Sequence, residues 1–352
     1  MTDSNNDTTV LVTGATGFIA QHCILQLLEA GYSVRGTVRS PERAAKLKDT
    51  LRPHISGDAQ ARLDRLSFVE TDLYSDDGWG EAVTDCTFVL HVASPLPRTP
   101  PKHEDELIVP ARDGALRVLK ASAEAGVKRV VLTSSIAAVL YGRDRSQTYN
   151  EDSWSDIHSN AIGAYEKSKT IAERAAWDFM KEQGGDMELA CINPGLVLGP
   201  VLDEDWGTSG EAIKKLLDRE FPACPDMNWA TVDVRDVAAA HFAAMTVPEA
   251  AGKRFICAIE NHSMRDVAAI LDEKFRDRGF KVPTGKLPSF LVRLVAIFDK
   301  TARLGLNDLG VKQHLDNSRI KDILNWQPRN LEEMVESMGD SFIEYGIVSP
   351  KS

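Results

Sequence analysis

The first half of the chain alternates short apolar runs with longer stretches that carry apolar residues at helical spacing. The apolar runs are typical of strands buried in a parallel sheet, and they lie at residues 10–12, 68–69, 89–90, 130–133 and 189–192. Residues 33–39 predict a further strand, and residues 19–30 and 165–180 predict helices. This alternation, from residue 9 to about residue 190, predicts an α/β fold with helices on both faces of a parallel sheet.

The pattern loosens after residue 193. Helices are predicted at residues 214–221, 264–277 and 331–345. Residues 95–102 and 203–210 predict loops, and the amphipathic segment 289–310 predicts a helix that covers a pocket. We therefore expect a sheet domain at residues 1–193. A smaller, mostly helical lobe at residues 194–352 is expected to interleave with the last strands of the sheet.

A glycine turn follows the first predicted strand directly. It reads Thr13-Gly14-Ala15-Thr16-Gly17-Phe18-Ile19-Ala20, and a predicted helix begins within it. The glycines permit a tight turn and close approach to a pyrophosphate, which the N–H groups of the helix start then bind. The spacing indicates a dinucleotide site on a doubly wound, Rossmann-type sheet. The alternative is a tight strand-to-helix turn that binds no ligand.

The end of the second predicted strand bears on the choice of cofactor. NAD-specific enzymes place a carboxylate near this point to bond the ribose 2′-hydroxyl, whereas this chain has Val38 and Arg39 there. A guanidinium binds a 2′-phosphate with charge-assisted hydrogen bonds, so the sequence predicts NADP(H). Arg43, Lys46 and Lys48 follow, and the alternative is an ordinary solvated, basic helix start.

A tyrosine and a lysine share one face of a predicted helix. Tyr165 and Lys169 are four residues apart, and Ser134-Ser135 lie at the carboxyl end of a predicted strand. Because ligands bind at that edge of an open parallel sheet, we expect these side chains to meet there. The ammonium is expected to lower the pKa of the phenol, which can then exchange a proton with a carbonyl or an alcohol. The alternative is a surface pair on a helix.

These motifs together resemble the extended short-chain dehydrogenases/reductases. The resemblance rests on the glycine turn, Ser134-Ser135, Tyr165-x-x-x-Lys169 and Asn193-Pro194-Gly195. Residues 34–39, 91–95 and 133–135 are similar to the dihydroflavonol reductase and cinnamoyl-CoA reductase branch, which also holds microbial ketone and aldehyde reductases. The resemblance spans residues 9 to about 343.

The resemblance implies NADPH as cofactor and a set of contacts to it. The implied cofactor residues are Thr13, Gly14, Thr16, Gly17, Phe18, Ile19, Arg39, Lys46, Asp72, Leu73, Val92, Ala93, Ser94, Thr133, Tyr165, Lys169, Pro194, Gly195, Val197 and Ser209. Within this set, Asp72-Leu73 would lie at the adenine, residues 92–94 along the pyrophosphate and ribose, and residues 194–197 beside the nicotinamide.

The implied reaction is the reversible reduction of a hydrophobic ketone or aldehyde. The nicotinamide supplies a hydride, Tyr165 the proton, and Lys169 bonds the nicotinamide ribose. Ser135, with Ser134 as the alternative, holds the substrate oxygen. The predicted substrate pocket consists of Leu96, Ser135, Ile136, Trp206 and Phe221. Plant members often carry a polar substrate-orienting residue where this chain has Val139-Leu140, which disfavours a flavonoid. The alternative functions are a nucleotide-sugar epimerase or dehydratase and a non-catalytic NADP-sensing protein.

Composition and charge limit the kinds of partner that we expect this protein to bind. The net charge of −11 argues against nucleic acid and anionic membranes. Five scattered cysteines and unpaired histidines suggest neither a disulfide framework nor a metal site. Residues 1–8 do not have the pattern of a secretory signal, and the apolar segment 290–298 is too short to span a membrane. We expect a cytoplasmic monomer or homodimer that acts on a small hydrophobic carbonyl substrate.

Overall fold

The strands of the chain form two sheets. The computed structural model describes residues 5, 7–95, 101–204, 206–207, 209–298 and 305–350. The strands are β1 (Thr9–Val12), β2 (Ser33–Val38), β3 (Leu66–Glu70), β4 (Phe88–His91), β5 (Arg129–Thr133), β6 (Glu188–Pro194), β7 (Leu196–Leu198), β8 (Asn228–Asp233), β9 (Lys253–Cys257) and β10 (Asn261–Ser263).

Helices connect most of these strands. They are α1 (Phe18–Glu29), α2 (Pro41–Leu51), α3 (Ala59–Leu63), α4 (Trp79–Val83), α5 (Asp105–Glu124), α6 (Ala164–Gln183), α7 (Gly210–Leu217), α8 (Val234–Thr246), α9 (Met264–Phe275), α10 (Ser289–Phe298), α11 (Ser318–Leu324) and α12 (Leu331–Glu344). A 3-10 helix at Ile136–Ala138 follows β5 and carries part of the site described below.

The main sheet is parallel and has the order β3-β2-β1-β4-β5-β6-β9. Its central strands β1, β4 and β5 are buried on both faces because helices cover both. Val10 and Val12 pack in the layer with α1 and α8, whereas Leu11 packs in the layer with α5 and α6. Strands β2 and β3 extend the sheet to one side of β1, and β4 and the later strands extend it to the other side, so the strand order switches between β1 and β4. Ligands bind outside the carboxyl ends of the strands at such a switch point. The predicted α/β, doubly wound fold is confirmed.

The second sheet was not predicted from the sequence. It has the order β10-β8-β7, and a separate apolar core joins it to α7, α9 and α12. β7 and β10 have only three residues each, and β8, although largely buried, mixes polar with apolar residues, so none of the three gives a clear apolar run. β9 follows β8 in the chain yet pairs with β6 in the main sheet. The domain boundary at residue 193 stays a prediction.

The helix predicted at residues 214–221 is displaced. It runs instead from Gly210 to Leu217 as α7. Arg219 then adopts φ +55°, and the N–H groups of Arg219 and Glu220 donate to the carbonyls of Leu216 and Lys215. This is the hydrogen-bond pattern of a helix end that usually contains glycine, so an arginine there gave no stop signal.

The segment 289–310 is only partly helical in the described residues. α10 ends at Phe298, and a 3-10 helix at Gly305–Asp308 follows residues 299–304, which lie outside the described part of the chain. Phe290 and Leu294 on α10 are more than half exposed. Across the described ranges, no helix combines the length and the apolar character that crossing a bilayer requires.

Candidate active site

The glycine turn is built from backbone contacts. Gly14 has φ +65°, and a Cβ there would lie 2.9 Å from the Cβ of Ala93. The Gly14 N–H donates to Thr37 Oγ1 at 2.9 Å, and the Ala15 N–H donates to the Thr37 carbonyl at 2.9 Å. The turn is therefore held against β2 in a conformation and at a distance that suit only glycine at position 14.

The start of α1 presents its backbone N–H groups. Gly17 precedes the helix and supplies no capping side chain, and Phe18 and Ile19 occupy the first helical positions without an acidic neighbour in that turn. The carbonyl of Thr16 accepts a hydrogen bond from Gln21 Nε2 at 3.0 Å, which holds the turn to the helix. An uncapped helix start is suited to bind an anion.

The loop before α7 lies over this helix start. Gln21 Nε2 donates to Asp203 Oδ2 at 3.1 Å, and a Cβ on Gly207 would lie 3.9 Å from Phe18. Ser209 is half-buried at the end of the same loop and makes no capping hydrogen bond to α7. The loop thus connects the glycine turn to the second lobe, which consists of the second sheet with α7, α9 and α12.

The end of β4 is tied to the end of β1. Thr13 Oγ1 lies 2.8 Å from His91 Nδ1 and accepts a hydrogen bond from the Ala93 N–H at 3.0 Å. Burial, with a smaller contribution from the charge of Lys169, lowers the pKa of His91 to about 3, so this imidazole is neutral. The ties hold residues 92–94, all half-buried, beside the glycine turn.

The basic residues after β2 lie at the surface. Arg39 is exposed and forms no hydrogen bond or ion pair within the part of the chain that the structure describes. Lys46, on α2, is also exposed, whereas Lys48 lies over the ring of Phe68 at 5.9 Å. Arg39 is therefore the residue at the strand end whose guanidinium is available to a ligand.

The end of β3 supplies the predicted adenine side of the cleft. Asp72 is exposed and its carboxylate accepts a hydrogen bond from the Tyr74 N–H at 3.0 Å. Leu73 is half-buried against α5, where a Cβ on Gly114 would lie 3.2 Å from it. The buried Thr71 Oγ1 has no hydrogen-bond partner among the described residues.

The two serines after β5 have different partners. Ser134 Oγ donates to Glu173 Oε2 at 2.5 Å in the interior. Ser135 Oγ accepts a hydrogen bond from the Ala137 N–H at 3.1 Å, and Ser135 lies close enough to the Tyr165 hydroxyl to lower the pKa of that phenol. The geometry thus brings Ser135 to Tyr165 and commits Ser134 to a carboxylate, which favours Ser135 of the two alternatives.

The pKa of Tyr165 is not lowered as the sequence analysis expected. Burial raises it above its ordinary value, the nearby Ser135 side chain opposes this change, and the charge of Glu166 adds to it. Burial lowers the pKa of Lys169 to about 8, and the negative charge of Glu173 opposes that shift. The prediction was wrong because it included the effect of the Lys169 ammonium on the pKa but left out the loss of solvent around the phenol, which raises the pKa.

A narrow gap borders Lys169 where α5 and α6 meet the ends of β4 and β5. Its lining residues are His91, Ala93, Ser94, Ala111, Ala115, Leu132, Thr133, Ser134, Lys169, Ala172 and Glu173. The hydroxyl of Thr133 lies 2.6 Å from His241 Nε2 beneath the sheet, so that hydroxyl is engaged in the core. The gap lies between the residue 92–94 segment and α6.

The end of β6 closes the predicted nicotinamide side. The Gly195 N–H donates to the Cys257 carbonyl at 3.1 Å, and a Cβ at position 195 would lie 2.2 Å from the Ala230 carbonyl oxygen. Pro194 and Val197 are buried beside it. The structure therefore places these residues at the same sheet edge as Ser135, and their contact with a cofactor stays a prediction.

The described contacts do not bring all of the predicted substrate residues together. Leu96 lies outside the described residues, and Ile136 is buried in a cluster with Val139 and Leu140. Trp206 and Phe221 instead pack against the core of the second lobe. The ring of Trp206 lies 6.1 Å from that of Phe342 on α12. No described contact joins Trp206 or Phe221 to Ser135 or Tyr165.

Tyr141 is a residue near the site that the sequence analysis missed. Its hydroxyl accepts a hydrogen bond from Gln313 Nε2 at 2.9 Å, and the Arg145 guanidinium lies 4.4 Å from its ring centroid. The pKa of Tyr141 is raised, chiefly by burial, and its side chain packs against the cluster of Ile136, Val139 and Leu140 that follows Ser135. An aromatic residue six positions beyond Ser135 gave no distinctive signal.

A buried ion pair behind the serines was also missed. Arg254 Nε donates to Glu173 Oε1 at 2.5 Å, and Asn193 Nδ2 donates to Glu173 Oε2 at 2.8 Å. Two signals were available in the sequence. Glu173 continues the four-residue spacing of Tyr165 and Lys169, and Arg254 is a charge beside the apolar run at residues 255–257.

Comparisons with known proteins show the family to which the chain belongs. The sequence profile of the NAD dependent epimerase/dehydratase family matches residues 10–258. The chain is 33% identical over 357 residues to NADPH-dependent methylglyoxal reductase GRE2 of Saccharomyces cerevisiae, covering 96% of this chain and 98% of that protein. The chain belongs to this family. The resemblance to the extended short-chain dehydrogenases/reductases is thereby confirmed.

Members of the family with reductase names span much or all of the chain. Cinnamoyl-CoA reductase 1 of Petunia hybrida is 39% identical over 279 residues, covering 78% of this chain and 79% of that protein. The crystal structure of yeast methylglyoxal/isovaleraldehyde reductase Gre2 complexed with NADPH matches with a TM-score of 0.79 at 30% identity, covering 96% and 99% of the two chains.

The described residues contain no cluster of three or more His, Cys, Asp or Glu side chains suited to hold a metal ion. All five cysteines are buried and free. The polar groups that the site brings together are therefore hydroxyl, ammonium and carboxylate groups and backbone N–H donors.

Proposed function

We propose that this protein is an NADPH-dependent reductase of hydrophobic ketones and aldehydes, able to run in reverse as an alcohol dehydrogenase. The observation that carries the proposal is the placement of Ser135 beside Tyr165, with Lys169 one helical turn further along α6, at the carboxyl edge of the sheet. Family membership and the reductase names of its relatives support the same reading.

The residues present fit NADPH at three points. The glycine turn at Gly14 leaves room for a close approach, the start of α1 offers N–H donors to a pyrophosphate, and Arg39 offers an unpaired guanidinium to a 2′-phosphate. When bound, NADPH supplies the hydride for the carbonyl carbon. The absence of a carboxylate at residues 38–39 argues against the nucleotide-sugar epimerase alternative, whose members usually retain NAD.

The protein's own residues handle the proton and the substrate oxygen. Because burial raises the pKa of Tyr165, its phenol is protonated at neutral pH and can donate to a carbonyl oxygen. The Ser135 hydroxyl orients that oxygen by a second hydrogen bond. Lys169, with a pKa of about 8, is positively charged at neutral pH and stabilises the phenolate that the proton transfer leaves behind.

A neutral substrate suits the charges near the site. Arg143 donates to the Trp154 carbonyl at 3.0 Å, and Arg145 is ion-paired with Asp308 at 2.5 Å. Lys102 is exposed to solvent. These cations are engaged or hydrated, and burying a substrate carboxylate without a partner is costly. We therefore expect neutral ketones and aldehydes to be preferred over 2-oxo acids of similar size.

The test is NADPH oxidation by the purified protein against a panel of carbonyl compounds, in pairs that differ only by a carboxylate. Reduction of the neutral member of each pair supports the proposal, and faster turnover of the carboxylates contradicts the preference. Conversion of a nucleotide sugar without net NADPH consumption would favour the epimerase alternative. Tight NADPH binding without turnover of any carbonyl would favour the sensor alternative.

We further propose a cytoplasmic location and a monomeric or homodimeric state. Five free, buried cysteines are consistent with a reducing compartment. Sedimentation of the purified protein with and without NADPH distinguishes the two oligomeric states.

A further inference from the structure

One buried carboxylate connects the catalytic helix to three strands. The side chain of Glu173 is 0% exposed. Its Oε2 accepts hydrogen bonds from Ser134 Oγ at 2.5 Å and Asn193 Nδ2 at 2.8 Å. Its Oε1 accepts from Arg254 Nε at 2.5 Å and Trp177 Nε1 at 3.3 Å. We call these five residues the Glu173 cluster.

The cluster lies directly behind the Ser135–Tyr165 contact. Ser134 follows β5, Asn193 lies near the end of β6 and Arg254 lies in β9, so one carboxylate fixes α6 to three neighbouring strands. A carboxylate only accepts hydrogen bonds, so the Asn193 amide must turn its Nδ2 toward Glu173. The same Nδ2 donates to the Ser135 carbonyl at 3.1 Å, which connects the cluster to the backbone of the proposed catalytic serine.

The Arg254 guanidinium also has partners on the side that faces away from Glu173. Its guanidinium donates to the carbonyls of Glu151 at 2.8 Å and Ser153 at 2.7 Å and lies 3.7 Å from the ring centroid of Trp154. The arginine therefore neutralises Glu173 from the side of β9. On the other side, Glu173 borders the gap that also holds Lys169.

Few charges face Lys169. The titratable groups of the described gap are His91 from β4 and Glu173 from α6, while α5 contributes only Ala111 and Ala115. His91 is neutral because burial lowers its pKa to about 3. Tyr165, one turn earlier on α6, is a neutral phenol before proton transfer. Glu173 is therefore the carboxylate that acts on the charge of Lys169.

We propose that Glu173 is a positioning residue for the proposed reduction, holding Ser135 in register with Tyr165 through Asn193 and keeping Lys169 positively charged. This inference rests on the proposed function, since it assigns the residue to carbonyl reduction. It differs from a purely structural role for a buried ion pair, in which Glu173 would matter only for folding.

The charge is tested first, with two variants. Glu173→Gln removes the carboxylate, and Glu173→Gln combined with Arg254→Met also removes the arginine that would otherwise remain buried and unpaired. Lys169 has a pKa of about 8, and loss of a nearby negative charge lowers it. The alkaline limb of kcat for carbonyl reduction should therefore move to lower pH by about one unit in both variants. The double variant should regain most of the Tm lost in the single one.

Positioning is tested with Glu173→Asp, which keeps the charge but withdraws it from Ser134 and Asn193. The alkaline limb should return to the wild-type pH, while kcat at the optimum stays reduced by up to about ten-fold, the loss expected when the Ser135 hydrogen bond is no longer aligned. NADPH affinity should change little, since no cluster residue lies at the glycine turn.

The matched control is Glu188→Gln. Glu188 pairs with the buried Arg129 at 2.7 Å, at the opposite end of β6. This variant should lower Tm without moving the alkaline limb. If the double variant folds and keeps the wild-type pH profile and kcat, Glu173 is structural only and the inference is wrong.

The failure of the proposed function has a different signature. Wild-type protein that binds NADPH but reduces no carbonyl compound contradicts the proposed reaction. The pH dependence of NADPH affinity then reports on Lys169 instead. An alkaline loss of affinity at the same pH in wild-type and double-variant protein would overturn the charge assignment on its own.

Discussion

The two halves of the cleft differ in the groups that form them, which are backbone groups at the glycine turn and side chains around Tyr165. The glycine-turn half consists of backbone: Gly14 in a left-handed conformation, N–H groups bonded to Thr37, and the uncapped start of α1. The catalytic half consists of side chains that four strands and two helices bring together around Tyr165, Lys169 and Glu173. The first half depends on local chain geometry, and the second depends on packing between distant segments.

This difference predicts separable defects. Changes in the glycine-turn half should weaken NADPH binding and leave the chemistry of bound complexes intact. Changes at Tyr165 or Ser135 in the catalytic half should slow turnover and leave NADPH binding intact, whereas Lys169 is expected to contribute to both. A variant at any residue other than Lys169 that damages both equally would contradict the comparison.

The largest effect is expected for Tyr165→Phe. The substitution removes the proton donor and keeps the ring, so turnover should fall by about a hundred-fold or more. NADPH affinity, measured by fluorescence titration, should remain near that of the wild type. Near-normal turnover would remove Tyr165 from the mechanism.

Arg39→Asp is expected to act on the other half. Losing a charge-assisted hydrogen bond of about 1.5–3 kcal/mol should weaken NADPH binding by about ten- to a hundred-fold. NADH should be affected less because it lacks the 2′-phosphate. The control is Arg43→Asp, which places the same charge change on an exposed residue of α2. Wild-type protein that uses NADH as well as NADPH would contradict the role of Arg39.

Gly14→Ala tests whether contact or backbone conformation matters at the turn. An alanine at positive φ costs about 1–2 kcal/mol of unfolding free energy, and here its Cβ would also press on Ala93. Gly57→Ala is the matched control, since Gly57 has φ +67° and open space around the added Cβ. Denaturant unfolding should show a cost in both variants, whereas only Gly14→Ala should lower NADPH affinity.

The smallest effect is expected from the serines. Ser135→Ala removes a neutral hydrogen bond to the substrate oxygen, worth about 0.5–1.5 kcal/mol, so kcat should fall by up to about ten-fold. Ser134→Ala should lower kcat less, because its hydroxyl bonds Glu173 and not Tyr165. A larger loss in Ser134→Ala would reverse the assignment.

The sequence predicted the parts of the molecule that depend on local patterns. Short apolar runs located β1, β3, β4, β5 and β6, because strands covered by helices on both faces are apolar throughout. The predicted position of α7 was four residues too far along the chain. Arg219 ends the helix in a backbone conformation usually adopted by glycine, so the sequence carried no stop signal there. The sheet of β7, β8 and β10 was missed because β7 and β10 are very short and β8 mixes polar with apolar residues, so the three strands leave little apolar signal.

The same distinction between local and long-range features applies to the candidate site. The glycine turn, the strand-end Arg39 and the spacing of Tyr165 and Lys169 were readable because each lies within a few residues of its motif. The direction of the Tyr165 pKa shift was wrong, because burial depends on everything packed around the phenol and not on the lysine alone. The Glu173–Arg254 pair joins residues far apart in the chain, and only the pairing of β6 with β9 brings them together.

The sequence by itself determined the parallel sheet and the glycine turn, and it placed Tyr165 and Lys169 on one helix face, because hydrophobic period, glycine and four-residue spacing act over short stretches of chain. Only the tertiary structure decided which serine hydroxyl meets Tyr165, since Glu173 draws Ser134 into the interior and leaves Ser135 at the site. The physical reason is the cost of burying a polar group without a partner. Each buried hydroxyl takes the acceptor that packing provides, and that acceptor comes from another segment of the chain.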